Sequence, residues 1–310
     1  MKTILLLGGY GFLGTNLLAH VDESLSKDYQ VIVFDKFGSH PAGLSFRCVC
    51  KSYSGDFSDE LLMERLFDEN TVDIVIHAIS TTVPSSSFNA RYDIESNLIP
   101  TVTLLTNMLK HGVKDIVYLS SGGAIYGNTS LPFHHEDENV FPVSSYGVVK
   151  LAIEKYMMQY AELYGLRPLI IRLSNPYGPY HYSMKQGVCN VALATAMRGN
   201  TFNVWGDGSA RKDYIYVRDF TDILFRLLAL DIHTQVINVA SGQIYSVNDL
   251  LEYIRSMVPG FGWTYSNASQ LDVSHFALDT GRLHSYIGDY PFTPLSEGMR
   301  QTFIWQKSEY

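Results

Sequence analysis

The stretch "SSYGVVK" sets Tyr146 and Lys150 four residues apart. On a helix that spacing puts phenol and ammonium on one face. The ammonium then favours the phenolate and lowers the phenol's pKa from about 10 toward the working pH. Such a tyrosine serves as a general base toward a hydroxyl. The chain holds 21 tyrosines, so about one match to this spacing is expected by chance, and spacing alone decides nothing. A second feature is "SSGGAIYG", where Ser120 and Ser121 end the apolar run "DIVYLSS" and precede two glycines. One of them is a catalytic hydroxyl, or the pair merely opens a turn.

"LLLGGYGFLG" places Gly8, Gly11 and Gly14 three residues apart, directly after an apolar run and at the start of a helical pattern. Glycines there let the backbone approach a pyrophosphate whose charge the helix N-terminus stabilises. Asp35 ends the next run, 21 residues beyond Gly14, where a carboxylate accepts hydrogen bonds from the adenosine ribose and repels a 2′-phosphate. NAD is therefore expected rather than NADP, with Lys36 softening the preference. Asp35 could also be an ordinary strand-end turn former. Asp56, in "SGDF", reaches toward adenine or forms a turn. Lys150 has a second use, holding the nicotinamide ribose.

The elements that must position these groups follow from the apolar pattern. Runs at 3–7, 30–35, 72–78, 115–121, 167–173 and 235–240 are rich in Val and Ile without polar alternation, which predicts strands buried on both faces, hence a parallel sheet. Helical patterns intervene at 16–25, 59–69, 97–110, 146–164 and 218–230. The alternation predicts an α/β fold, a doubly wound parallel sheet of the Rossmann type. Beyond residue 175 the order becomes irregular and rich in turns, with a further helix at 247–257. We expect a dinucleotide-binding domain of residues 1–176 plus 214–241 and a smaller C-terminal substrate-binding domain of 177–213 plus 242–310.

Composition narrows the partners. The chain has 310 residues, 46% hydrophobic and 17% charged, with a net charge of −8. Without a Lys/Arg-rich run, neither nucleic acid nor an anionic membrane is expected as a partner. The apolar start breaks at Gly8, too early for a signal peptide, and no run reaches the ~18 apolar residues of a span. A cytoplasmic protein is expected. Three cysteines, Cys48, Cys50 and Cys189, lack the spacing of a complete zinc site, and no metal is expected.

Taken in order, the glycine turn, Asp35, "YLSSGGAIYG", Tyr146 with Lys150, "RLSNPYGP" and "GDGSARKDYIYVRD" resemble the extended short-chain dehydrogenase/reductase family, in its nucleotide-sugar epimerase and dehydratase branch. The likeness runs from about residue 3 to the "GMRQTFIW" tail. It implies Tyr146, Lys150 and a serine as catalytic groups, and NAD held by Gly8, Gly11, Phe12, Leu13, Gly14, Asp35, Asp56, Phe57, Ala78, Tyr146 and Lys150. It implies a nucleotide-sugar substrate met by Ser80, Ser121, Asn175, His181, Arg211 and Lys212, and a homodimer built on the helices at 97–110 and 146–164. Asn97 matches the family's asparagine before the fifth strand. The family's hydroxyl position falls on Gly122. Ser121 is the expected carrier if the glycines let the backbone loop out, with Ser120 next.

The family's dehydratases follow the catalytic threonine with Asp and Glu, because losing water needs further acid-base groups. Here glycine and alanine stand there, which disfavours elimination. The resemblance then implies epimerisation at C4: Tyr146 takes the 4-hydroxyl proton, hydride passes to NAD, and the 4-keto sugar turns and recovers the hydride on its other face. Two departures bear on diphosphate binding, since lysine cannot reproduce arginine's planar fork. Lys212, preceded by Arg211, replaces one expected arginine, and Ser269 replaces a second. His181 matches an acid of the GDP-fucose synthase branch, whose partner cysteine is missing; otherwise it is a substrate-contacting or surface histidine. His77 reads as a packed strand residue beside the cofactor. The Ser/Thr-rich "TTVPSSSFNAR" lies where such folds bind ligands, or is a solvated loop. The alternatives are an NAD(P)H-dependent keto-sugar epimerase/reductase and a cofactor-binding protein without turnover.

Overall fold

The structure, a computed structural model, describes residues 1–83, 89–127, 133–267 and 275–309. In chain order its elements are β1 (Lys2–Leu7), α1 (Phe12–His20), β2 (Tyr29–Asp35), β3 (Val49–Ser54), α2 (Glu60–Glu69), β4 (Ile74–His77), α3 (Ala90–Asp93), α4 (Ile99–Lys110), β5 (Asp115–Ser121), α5 (Gly122–Ile125) and α6 (Ser145–Tyr164). Then follow β6 (Arg167–Leu173), β7 (Asn175–Tyr177), α7 (Val188–Met197), β8 (Phe202–Trp205), β9 (Arg211–Tyr216), α8 (Val217–Ala229), β10 (Gln235–Val239), β11 (Ile244–Ser246), α9 (Val247–Met257), β12 (Trp263–Ser266), β13 (His275–Phe276), α10 (Gly281–Ile287) and α11 (Leu295–Glu309).

Seven parallel strands form the main sheet in the order β10-β6-β5-β4-β1-β2-β3, the doubly wound arrangement that the apolar runs predict. Along β1, Ile4 and Leu6 enter one core and Leu5 and Leu7 the other, because successive side chains leave opposite faces of a strand. The first core is covered by α1, α8 and Leu283 of α10, the second by α2, α4 and α6. β3 carries no apolar run. It is an edge strand with mostly exposed side chains, so the burial that writes such a run is absent.

The smaller body is built on β9, which pairs with β7, β11 and β13, beside a separate β8/β12 pair. Its core joins Tyr177, Leu193, Tyr214, Tyr216, Leu250, Leu251 and Met299. The chain divides less cleanly than at the expected boundaries. β9 runs across 213/214 as one strand of the small sheet, and α10, expected in the substrate domain, packs on β10 of the main sheet.

Two helices differ in start or continuity. α1 begins at Phe12, four residues before the amphipathic pattern, since the glycine turn itself feeds the helix. Asn97 lies in a π-helical turn, Ile94–Leu98, between α3 and α4.

Candidate active site

A cleft of about 510 Å³ opens where the C-terminal ends of β1, β4, β5 and β6 meet the small body. Gly8, Gly11, Phe12, Leu13, Gly14, Ala78, Ser80, Ser121, Tyr146, Lys150, Asn175, His181 and Lys212 all line it. This is where an open α/β sheet places ligands.

At the cofactor end, Gly8 has φ +81° and its N–H donates to the Phe34 carbonyl at 2.8 Å. A Cβ on Gly14 would stand 2.2 Å from the Gly8 oxygen, whereas one on Gly11 would meet only that oxygen, at 3.4 Å. Gly14 is thus required by the turn's own packing. Gly11 leaves open the space before the N-terminus of α1, which has no side-chain cap and no acidic residue in its first turn. Free N–H groups facing open space fit the diphosphate of a dinucleotide. Asp35 is buried, and its carboxylate accepts from Tyr10 N at 2.9 Å and Phe37 N at 3.3 Å. It therefore braces the glycine turn, and like Asp56 and Phe57 it is not among the residues that line the cleft.

Asp56 has the turn geometry that is one of its two expectations, and Phe57 packs in the core. Asp56 is exposed and accepts from Ser58 N and Oγ at 2.9 and 2.6 Å, which holds its carboxyl below the usual range and shapes the turn before α2. Phe57 is buried against Phe34 and His77. Neither lines the cleft.

At the chemistry end, α6 starts at a Ser144 cap that accepts from Gly147 N at 3.2 Å. A Cβ on Gly147 would stand 2.3 Å from the Ala124 carbonyl oxygen, so this glycine lets α6 close against the segment after β5. Tyr146 is thereby brought to the end of β5, and its hydroxyl is hydrogen-bonded with Ser121 and Ser80. The Lys150 Nζ lies 5.8 Å from the Tyr146 ring centre and 4.7 Å from that of Tyr118, and donates to the Leu119 carbonyl at 2.9 Å. Ser120 also lines the cleft, but its hydroxyl donates to Glu154 at 2.6 Å.

The electrostatics correct the simple expectation of a phenol lowered by its lysine. Burial raises the Tyr146 pKa, opposed by the bonds to Ser80 and Ser121. Burial also lowers Lys150 to about 7, opposed by Glu154. Both shifts favour the uncharged pair, because desolvation disfavours any charge in this wall.

A side chain on Gly122, at the family's hydroxyl position, would have to displace the ends of two packed side chains. Its Cβ would meet Leu278 at 2.8 Å and Phe276 at 2.9 Å. Gly123 lines the cleft and faces nearly open space, with Phe276 3.9 Å from where its Cβ would be.

On the substrate side, Lys212 lines the cleft and Arg211 does not. Neighbours on β9 leave opposite faces, and Arg211 is exposed, reaching the Ile244 carbonyl at 3.3 Å and Asp249 at 4.0 Å. Asn175 donates to the Asp213 carbonyl at 2.8 Å, tying β7 to β9 within the wall. His181 is buried edge-on against Phe12, with ring centres 4.8 Å apart, and burial lowers its pKa. Asn97 braces the residues after β4 by accepting from Thr81 N at 3.0 Å. His77 bonds Thr101 at 3.0 Å, and burial pushes its pKa to about 3, a neutral packed residue. Ser269 and residues 84–88 lie outside the described residues.

Sequence reasoning missed Ser183, Gln186, Gly187 and Phe276, which also line the cleft. The first three follow the "NPYGP" turn, whose Pro and Gly content marks a loop but not its direction; Phe276 comes from a two-residue strand. Among the described residues, no group of three or more His, Cys, Asp or Glu is placed to hold a metal ion, and no helix is long and apolar enough to cross a membrane.

The fold agrees with what comparison with known proteins finds. The NAD dependent epimerase/dehydratase family model matches residues 4–240. UDP-glucose 4-epimerase of Halalkalibacterium halodurans is 30% identical over 273 residues, covering 82% of this chain and 80% of that protein. The dTDP-4-dehydro-6-deoxyglucose reductase of Escherichia coli is 27% identical over 305 residues, covering 96% of this chain and 95% of that protein. The crystal structure of UDP-glucose 4-epimerase from Thermotoga maritima with UDP-glucose superposes with a TM-score of 0.91 at 30% identity, covering 99% of each chain. The chain belongs to the NAD-dependent epimerase/dehydratase family. Its cofactor is NAD.

Proposed function

We propose that this protein is a nucleotide-sugar 4-epimerase. The observation that carries the reading is Tyr146 hydrogen-bonded with Ser121 and Ser80 beside Lys150, while Gly122 and Gly123 place no carboxyl group next to Ser121. Bound NAD supplies a reversible hydride acceptor for C4 of the sugar. Tyr146 accepts the 4-hydroxyl proton as the C4 ketone forms and returns it when the ketone is reduced. Ser121 and Ser80 orient the phenol and the sugar oxygen. Lys150, when protonated, stabilises the phenolate. The ketone must present both faces in turn, and Ser80, Ser121 and Gly123 leave that wall free of bulk. Lys212 offers a cation to the diphosphate, with Asn175 and His181 as further contacts.

The likeness to a reductase supports a second reading, since His181 lies in the cleft wall where a proton donor to a ketone could stand. Its lowered pKa weighs against it, because a neutral imidazole is the poorer acid.

The same family reading proposes a homodimer. Ile99 on α4 and Val148, Tyr156 and Leu163 on α6 are large, apolar and exposed, and a second copy would cover them.

The test is turnover of UDP-, dTDP-, GDP- and CDP-linked sugars with NAD. One of these converting to its C4 epimer supports the proposal. Net consumption of NADH or NADPH with a 4-keto sugar contradicts it.

A further inference from the structure

Three residues of α6, each one turn from the next, grip three successive residues at the end of β5. Tyr146 bonds Ser121. Lys150 donates to the Leu119 carbonyl at 2.9 Å. Glu154 accepts from Ser120 at 2.6 Å. The proposed chemistry uses the first two residues and leaves Glu154 without a role.

Glu154 is also half of a buried ion pair. Its Oε2 accepts from Arg172 Nη2 at 2.8 Å and its Oε1 from Arg172 Nε at 3.2 Å, and the two side chains are 2% and 4% exposed. Arg172 turns its other terminal nitrogen to Tyr126 Oη at 3.0 Å and the Glu136 carbonyl at 3.2 Å. Burying such a pair gains little stability over apolar side chains of the same volume. Stability alone therefore does not explain a carboxylate one helical turn from Lys150, which is buried in the cleft wall.

We propose that Glu154 is a positioning residue: from one helical turn away, its carboxylate keeps the Lys150 side chain charged and docked against the end of β5. The proposal rests on the reading of Tyr146 and Lys150 as the reacting pair. The titratable and charged groups around Lys150 are Tyr146 and Glu154 on α6, Tyr118 on β5 and neutral His77 on β4, with Arg172 on β6 behind Glu154. Glu154 is the anion among them. Ser120 and Arg172 fix its two oxygens, so the charge stays one helical turn from the lysine. Burial works against the ammonium, and Glu154 opposes burial.

The experiment titrates Lys150 itself, by NMR of the full chain labelled at lysine Cε, with its resonance identified by loss in Lys150→Arg. In Glu154→Gln the midpoint is expected to move to lower pH by about one unit, and in Glu154→Asp, which keeps the charge, to stay near that of the parent. Should Glu154→Gln fail to fold with Arg172 unpaired, Glu154→Gln/Arg172→Met removes the pair together; the midpoint is again expected to fall, by less than in the single variant, because a cation paired with Glu154 leaves as well. An unchanged midpoint in a folded variant lacking the carboxylate overturns the proposal and reduces Glu154 to a packing role. A midpoint that moves while turnover stays unchanged upholds the effect of Glu154 on the lysine, and strikes instead the reading of Lys150 as part of the chemistry.

Discussion

Ser120 and Ser121 are neighbours in sequence and opposites in space. Both line the cleft, but the Ser121 hydroxyl bonds that of Tyr146, whereas the Ser120 hydroxyl bonds buried Glu154 at 2.6 Å. Strand alternation forces the choice, since both end β5. Ser121→Ala is expected to lower kcat by about 100-fold, within the range of a lost proton-transfer partner, with the thermal midpoint little changed. Ser120→Ala is expected to cost about 1 kcal/mol of stability and less than tenfold in kcat. Steady-state kinetics with urea unfolding separates the two; a Ser120→Ala variant more damaged in kcat than Ser121→Ala contradicts the assignment.

Gly14 tests the cofactor seat. With a Cβ 2.2 Å from the Gly8 oxygen, Gly14→Ala must push β1 and α1 apart, costing about 1–3 kcal/mol as overpacking does. NAD affinity, measured by calorimetry, is expected to fall at least about tenfold. A variant that binds NAD as the parent does would mean that the turn is not where the diphosphate sits.

His77 carries a pH prediction. Its folded pKa is about 3 against about 6.5 unfolded. Between those values the unfolded chain binds the extra proton, so stability rises with pH across this window and is lost on acidification. From pH 7 to pH 4 the histidine accounts for a loss of about 3 kcal/mol. Urea unfolding of His77→Asn at both pH values is expected to show a correspondingly smaller difference than the parent. An equal difference would show that this histidine is not what acid must protonate.

The exposed apolar residues of α4 and α6 predict the assembly. Light scattering is expected to give twice the chain mass, and Val148→Asp with Tyr156→Asp to give the single-chain mass while NAD binding persists. A parent protein that scatters as a single chain refutes the dimer.

Strands buried on both faces write their apolar runs into the sequence, which is why β1, β2, β4, β5, β6 and β10 were all legible and edge strand β3 was not. The glycine turn and the Tyr146/Lys150 pair were legible because each is local, set by spacing within a single turn or helix. The substrate wall was only partly so. Arg211 and Lys212 are adjacent, and which one faces the cleft depends on the phase of β9, a strand whose pairing with β7, β11 and β13 is non-local. Asp56 stays open in the sequence for a related reason: after a glycine, a carboxylate serves a turn or a ligand equally well, and only the bonds from Ser58 two residues later show the turn. Glu154 gave no signal, as its partners Ser120 and Arg172 come from two other strands.

The central claim is that Tyr146 moves a proton at C4 while the hydride never leaves the protein. The direct measurement is proton NMR in D₂O of the enzyme with NAD and the nucleotide sugar it turns over, run beside Tyr146→Phe. The account predicts a C4 epimer with no deuterium at C4, no net NADH, and a rate lower by at least about 1,000-fold in Tyr146→Phe with NAD still bound. Deuterium at C3 or C5, loss of water, or undiminished turnover in Tyr146→Phe would contradict it.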